Sequence, residues 1–261
     1  MSMKRFTFDS DGVCLSYLDS GVDAPLLLAM HGHFGCARNF SPLAQALAQD
    51  YRVVALDQRG HGWSQHPEDC SRSAYVKDVH NLVRHLSPER PLFLLGHSLG
   101  GVNAYQFAAQ HPAMVSALVV EDIGVHVSPR IGFATDWPHR YASLSDLLEL
   151  LADRGLSGDR YFLDSVCEYE DGWGFRFNPH WIARSQQAVT GDWSGDWLQL
   201  QCPTLLLHGT RSRDMRTEDG QWMRANHPDC TYLEFSAGHT IHDELPDEFG
   251  EAVKRFLRAK A

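Results

Sequence analysis

The chain has no cluster of basic residues: 23 Lys and Arg stand against 33 Asp and Glu, a formal net charge of −10. That balance excludes nucleic acid and anionic membrane surfaces as expected partners. No apolar run is long enough to span a bilayer. The opening Met1-Ser2-Met3-Lys4-Arg5-Phe6 lacks the apolar stretch of a signal peptide, so a cytoplasmic location is expected. The six cysteines (14, 36, 70, 167, 202 and 230) are scattered, without C-x-x-C spacing. They indicate free thiols rather than a zinc cage or a disulfide framework. There is no H-E-x-x-H pair, and no G-x-G-x-x-G opens a helix after a strand. The sequence therefore points to no metal and no cofactor. Internal repeats and low-complexity segments are absent too.

What the 261 residues do contain is an alternation of short apolar runs with longer amphipathic ones. Buried strands are expected at 26–30, 52–57, 91–96, 117–121, 204–208 and 231–235. Weaker early strands cover 4–9 and 13–19, with Asp11-Gly12 as a hairpin turn. Helices are expected from Ser41-Pro42 and over 73–86, 99–110, 218–226 and 246–259. This order implies an α/β protein with a mainly parallel central sheet and helices on both faces. The rhythm breaks over 125–200, where no buried strand stands out. Helices are expected there at 145–154, 159–168 and 179–189, around the stretch Glu170-Asp171-Gly172-Trp173-Gly174-Phe175. Trp137, Trp173, Trp181, Trp193 and Trp197 fall in the same interval. It reads as a helical cap inserted between two sheet strands, with 1–124 and 201–261 forming the core domain. Such a cap would wall an apolar pocket over the strand ends.

The most informative run is Leu94-Leu95-Gly96-His97-Ser98-Leu99-Gly100-Gly101. An apolar strand enters Gly-x-Ser-x-Gly and a helix leaves it, which is the context that gives the motif physical meaning. The sharp turn puts Ser98 at its apex, and glycines flank it because side chains would collide there. The competing reading is a glycine-rich turn in which Ser98 caps a helix.

The chain resembles the α/β-hydrolases over nearly its whole length. Four signatures stand in that family's order: His31-Gly32-His33-Phe34-Gly35, Asp57-Gln58-Arg59-Gly60-His61-Gly62-Trp63-Ser64, the Ser98 turn, and Gly238-His239. The resemblance implies Ser98 as nucleophile and His239 as its base, with His242 as the nearest competitor. It leaves the third member open. The family usually places an acid after the strand at 204–208, where Asp214 stands. Some members carry it one strand earlier, where Asp122 and Glu121 stand. The oxyanion hole would use the backbone N–H of Leu99 and that of His33 or Phe34. His31, His61, Asp57 and Arg59 are expected to brace loops.

A serine at the turn argues against the haloalkane dehalogenases and epoxide hydrolases of this fold, which attack with aspartate. The expected activity is cofactor-free hydrolysis of an ester or thioester of a small, partly apolar acyl substrate through an acyl-enzyme. The same groups would also serve carbon–carbon bond hydrolysis, lactone opening or peroxidation. A ligand receptor with little turnover is the non-enzymatic alternative. The partner expected is thus a small-molecule acyl substrate; oligomeric state is left open, a homodimer included.

Overall fold

The computed structural model describes residues 3–128, 132–134 (Phe133 by its backbone alone) and 136–260. Parts of the 125–200 interval, at 129–131 and 135, lie outside the described residues, as do residues 1, 2 and 261. The strands in chain order are β1 (Lys4–Ser10), β2 (Val13–Asp19), β3 (Leu26–Met30), β4 (Arg52–Asp57), β5 (Leu92–His97), β6 (Val115–Glu121), β7 (His126–Val127), β8 (Val166–Tyr169), β9 (Gly172–Phe175), β10 (Gly191–Asp192), β11 (Thr204–Gly209) and β12 (Cys230–Phe235). Eight of them form one sheet in the order β1-β2-β4-β3-β5-β6-β11-β12. β1, β2 and β4 pair antiparallel, and every pair from β4 to β12 is parallel.

Successive strand residues point to opposite faces, and in the central strands both faces are buried. Leu28, Met30, Val54, Leu56 and Leu94 pack with the helices Arg72–Leu86 and Leu99–Gln110. Leu27, Ala29, Val53, Ala55, Phe93 and Leu95 pack on the other side with the helices Ser41–Ala46 and Pro246–Arg258. The last helix shows its sequence logic plainly. Phe249, Ala252, Val253, Phe256 and Leu257 form one buried stripe. Pro246, Asp247 and Glu248 suit its first turn, and Arg255 and Arg258 its last.

Between β6 and β11 the chain departs from the sequence expectation in two ways. The helix expected at 159–168 spans only Arg160–Leu163, and Val166–Tyr169 is a strand. It pairs with Gly172–Phe175 across the turn Glu170-Asp171. Gly172 has φ +129°, and a Cβ there would lie 2.3 Å from the Tyr141 carbonyl oxygen, so only glycine fits. A second small pair joins β7 to β10. Helices Leu144–Asp153 and Pro179–Val189 form as expected, the first with a Ser143/Asp146 capping box, the second with Asn178 accepting from His180 and Trp181 N–H. Phe34 from the core packs among Trp137, Phe162 and Phe177 of this interval, tilted against the first two and edge-on to the third, at centroid distances of 6.2, 5.5 and 5.2 Å.

Candidate active site

The sequence signatures meet at the carboxyl ends of the parallel strands, where open α/β sheets hold ligands. Ser98 follows β5 with φ 52° and ψ −119°, outside the regions a non-glycine residue normally occupies. The strain is held by close packing on both sides. A Cβ on Gly96 would lie 2.1 Å from the Gly100 carbonyl oxygen, and one on Gly100 2.2 Å from the Met30 carbonyl oxygen. The Ser98 N–H donates to the Glu121 carbonyl at 3.0 Å, and the Ser98 carbonyl accepts from Gly101 and Val102 at 2.8 and 3.1 Å.

His239 enters from the loop after β12. Its Nδ1–H donates to Asp122 Oδ2 at 2.7 Å, and its backbone carbonyl accepts from His97 Nε2 at 2.9 Å. Asp122 follows β6 in the left-handed region, φ 49°, and is fully buried. Its carboxylate also accepts from the Gly209 N–H at 2.8 Å and from the Ser212 hydroxyl. Asp214 Oδ2 lies 3.6 Å from the same His239 Nδ1, outside hydrogen-bond reach, on a side chain 36% exposed. Burial works against a charged His239 ring. The Asp122 hydrogen bond and the negative charges of Asp214, Asp122 and Glu121 overcome it and push the ring up to about 9.

Glu121 and His242, the other candidates from sequence, are taken up with each other. His242 donates from Nδ1 at 2.9 Å and from its backbone N–H at 2.9 Å to the Glu121 carboxylate, both residues buried. His31 donates from Nδ1 to the Gly32 carbonyl at 2.7 Å and accepts the Gln58 N–H on Nε2. Burial holds it neutral, down to about 4. Asp57 accepts the Ala37 N–H at 2.7 Å and the Trp63 N–H at 3.1 Å, tying two loops together. Arg59 is paired with buried Asp78 at 2.6 Å.

The loop after β3 lies against the Ser98 turn, so closely that a Cβ on Gly32 would stand 2.8 Å from Ser98 Cβ. Among the described residues, no acceptor takes the N–H of Leu99 or of His33. Both residues border a cavity of about 650 Å³ together with Ser98, Phe34, Asp214 and His239. Val102, Ile123, Leu156, Phe162 and Val189 supply its apolar wall. Several of its determinants were not visible in the sequence. Ser212, which donates to Asp122, and Tyr161, which donates to the His33 carbonyl at 2.9 Å, carried no motif; an aromatic in a segment rich in aromatics was the whole signal for Tyr161.

Comparison with known proteins agrees with this architecture. Residues 25–157 match the family model of the alpha/beta hydrolase fold. The chain is 32% identical to the sn-1-specific diacylglycerol lipase ABHD11 of Mus musculus, covering 93% of this chain and 85% of that protein. It is 22% identical to the 2-hydroxy-6-oxo-6-(2'-aminophenyl)hexa-2,4-dienoic acid hydrolase of Metapseudomonas resinovorans, over 99% and 92% of the two chains. The solved structure of an E-2-(acetamidomethylene)succinate hydrolase superposes with a TM-score of 0.88 at 21% identity, covering 98% of this chain and 99% of that one. The chain belongs to the α/β-hydrolase fold family. Among the described residues, no helix is long and apolar enough to cross a membrane.

Proposed function

We propose that the protein is a cofactor-independent serine hydrolase that cleaves an ester or thioester of a small, partly apolar acyl group. Ser98 is the nucleophile, His239 its base and Asp122 the acid that orients the ring. A serine hydroxyl is a weak nucleophile until a neighbouring base takes its proton. With Nδ1–H committed to Asp122, His239 offers Nε2 to that proton and returns it to the leaving group. The N–H groups of Leu99 and His33 receive the charge on the tetrahedral oxygen. Water then discharges the acyl-enzyme by the same path.

The observation that carries this reading is the 2.7 Å bond from His239 to buried Asp122, on the same cavity as a strained Ser98. The two unclaimed N–H groups support the oxyanion assignment, with His33 ahead of Phe34. The apolar wall suits an acyl chain, and the relative named a diacylglycerol lipase supports an ester. We assign 125–200 as a cap over the core formed by 1–124 and 201–261. The six unpaired cysteines fit a reducing cytoplasm.

The test is steady-state hydrolysis of short p-nitrophenyl esters, with thioesters, lactones and a dienoate beside them. Ser98→Ala is expected to lower ester turnover by about 10⁴-fold or more. Turnover at the wild-type level would reject the site, and faster cleavage of the dienoate or a lactone would reassign the bond that is broken.

A further inference from the structure

We propose that Tyr161 is a positioning residue of the oxyanion hole: its hydroxyl fixes the orientation of residue 33 and makes turnover depend on the segment 160–165. The inference rests on the reading of Ser98 as nucleophile and adds to it a source for the preorganisation of the hole. Tyr161 belongs to the short helix Arg160–Leu163, far in sequence from the loop it serves. Its hydroxyl donates to the His33 carbonyl at 2.9 Å. Burial raises the phenol well above its ordinary value, so the hydroxyl keeps its proton across the working range of pH.

The loop is wrapped around this hydroxyl. A Cβ on Gly32 would lie 2.8 Å from Tyr161 Oη, and one on Gly35 2.6 Å from it. The same Gly32 Cβ would stand 2.8 Å from Ser98 Cβ, so phenol, loop and nucleophile are in one continuous contact. In a trans peptide the C=O and the following N–H point in opposite directions. The peptide before residue 33 is held at the Gly32 carbonyl, by His31 Nδ1 at 2.7 Å and by the Gly35 N–H at 3.3 Å. The peptide after it is held at the His33 carbonyl by Tyr161. The first plane carries the His33 N–H; the second, which carries the Phe34 N–H, anchors the other side of residue 33 through Tyr161, so that this residue turns its own N–H only by breaking one of these bonds. Ser165 extends the grip by donating to the Phe34 carbonyl at 2.8 Å. Asn39 ties the helix back to the core through the Tyr161 carbonyl at 3.3 Å.

A hydroxyl that merely satisfied a buried carbonyl would affect stability alone. One that positions an oxyanion donor acts on the transition state, where misplacing a donor lowers turnover without weakening substrate binding. The experiment uses the full chain with Tyr161→Phe and Ser165→Ala. It measures kcat and KM for p-nitrophenyl butyrate, and the affinity of butaneboronic acid, which forms a tetrahedral adduct on a serine nucleophile. Tyr161→Phe is expected to lower kcat about 10–100-fold, with KM within about threefold of wild type and boronic acid affinity reduced in proportion to kcat. Ser165→Ala should move the same quantities in the same direction by less. An unchanged kcat, or a fall in kcat with boronic acid affinity intact, would overturn the proposal. Should Tyr161→Phe fail to fold, Ser165→Ala decides by the same two measurements. Hydrolysis that survives Ser98→Ala would instead sink the nucleophile reading, so the two failures are separable.

Discussion

Two carboxylates approach one imidazole nitrogen in this cavity, and their inequality has measurable consequences. Asp122 is buried and hydrogen-bonded to His239 at 2.7 Å, whereas Asp214 stands at 3.6 Å and is 36% exposed. Losing the first removes the group that fixes the tautomer; losing the second removes only a charge. Asp122→Asn is expected to lower kcat about 10³–10⁴-fold. Asp214→Asn should leave the plateau rate within a few-fold. Its effect should lie in the pH profile. His239 is raised to about 9, and the proposed mechanism uses the neutral ring as base, so kcat/KM should climb with pH toward that value. Deleting the Asp214 charge lowers the ring's proton affinity and should move this limb to lower pH. A profile that does not move would mean the Asp214 charge does not act on the ring, whereas an Asp214→Asn loss as large as that of Asp122→Asn would assign the acid the other way. The turns that carry Ser98 and His239 were legible because glycines mark them. The carboxylate that meets His239 was not, because Glu121 ends one buried strand and Asp122 and Asp214 follow buried strands. Which one reaches Nδ1 depends on backbone direction at single residues, including the left-handed Asp122.

At the scale of elements, the turn between β5 and its helix depends on the absence of side chains. The helix carrying Leu99 crosses β3 so closely that a methyl on Gly100 would lie 2.2 Å from the Met30 carbonyl oxygen. Backbone has no rotamer with which to yield, so Gly100→Ala is expected to cost about 1–3 kcal/mol or more and to lose activity, checked by denaturant unfolding and ester hydrolysis. Unchanged stability would show that the packing there is slack. The central strands of the main sheet were readable because burial on both faces gives them apolar runs, as in Leu26–Met30 and the Leu205-Leu206-Leu207 centre of β11. β8 and β9 were not. They are short and partly exposed, and their pairing is set by the tight turn at Gly172 and by Trp173 exchanging backbone bonds with Tyr141 at 2.8 Å. Neither cause leaves a period in the sequence.

For the molecule as a whole, the site is embedded in neutral histidines. Burial lowers His31 to about 4 and His33 to about 3, and takes His61 and His97 well below their ordinary value. The unfolded chain binds protons at these rings near pH 6.5 while the native protein does not. Their contribution to stability is therefore complete above that pH and is lost as pH falls toward 4, by up to about 1.4 kcal/mol per pH unit for each ring. His239 works in the opposite sense: its raised value favours the fold below 6.5 and that gain fades as pH rises through about 9. The unfolding temperature should therefore drop steeply between pH 6.5 and 4.5, with several protons taken up. A flat curve over that range would mean these rings are hydrated or already charged in the fold.

The account as a whole turns on whether one serine hydroxyl is activated by His239. Titration of the full chain with a fluorophosphonate, followed by peptide mapping, tests this directly. The expected result is one adduct per chain, on Ser98, formed in step with the loss of esterase activity and abolished by His239→Ala. Full ester hydrolysis with Ser98 unmodified, or labelling of Ser98 that is indifferent to His239→Ala, would contradict it.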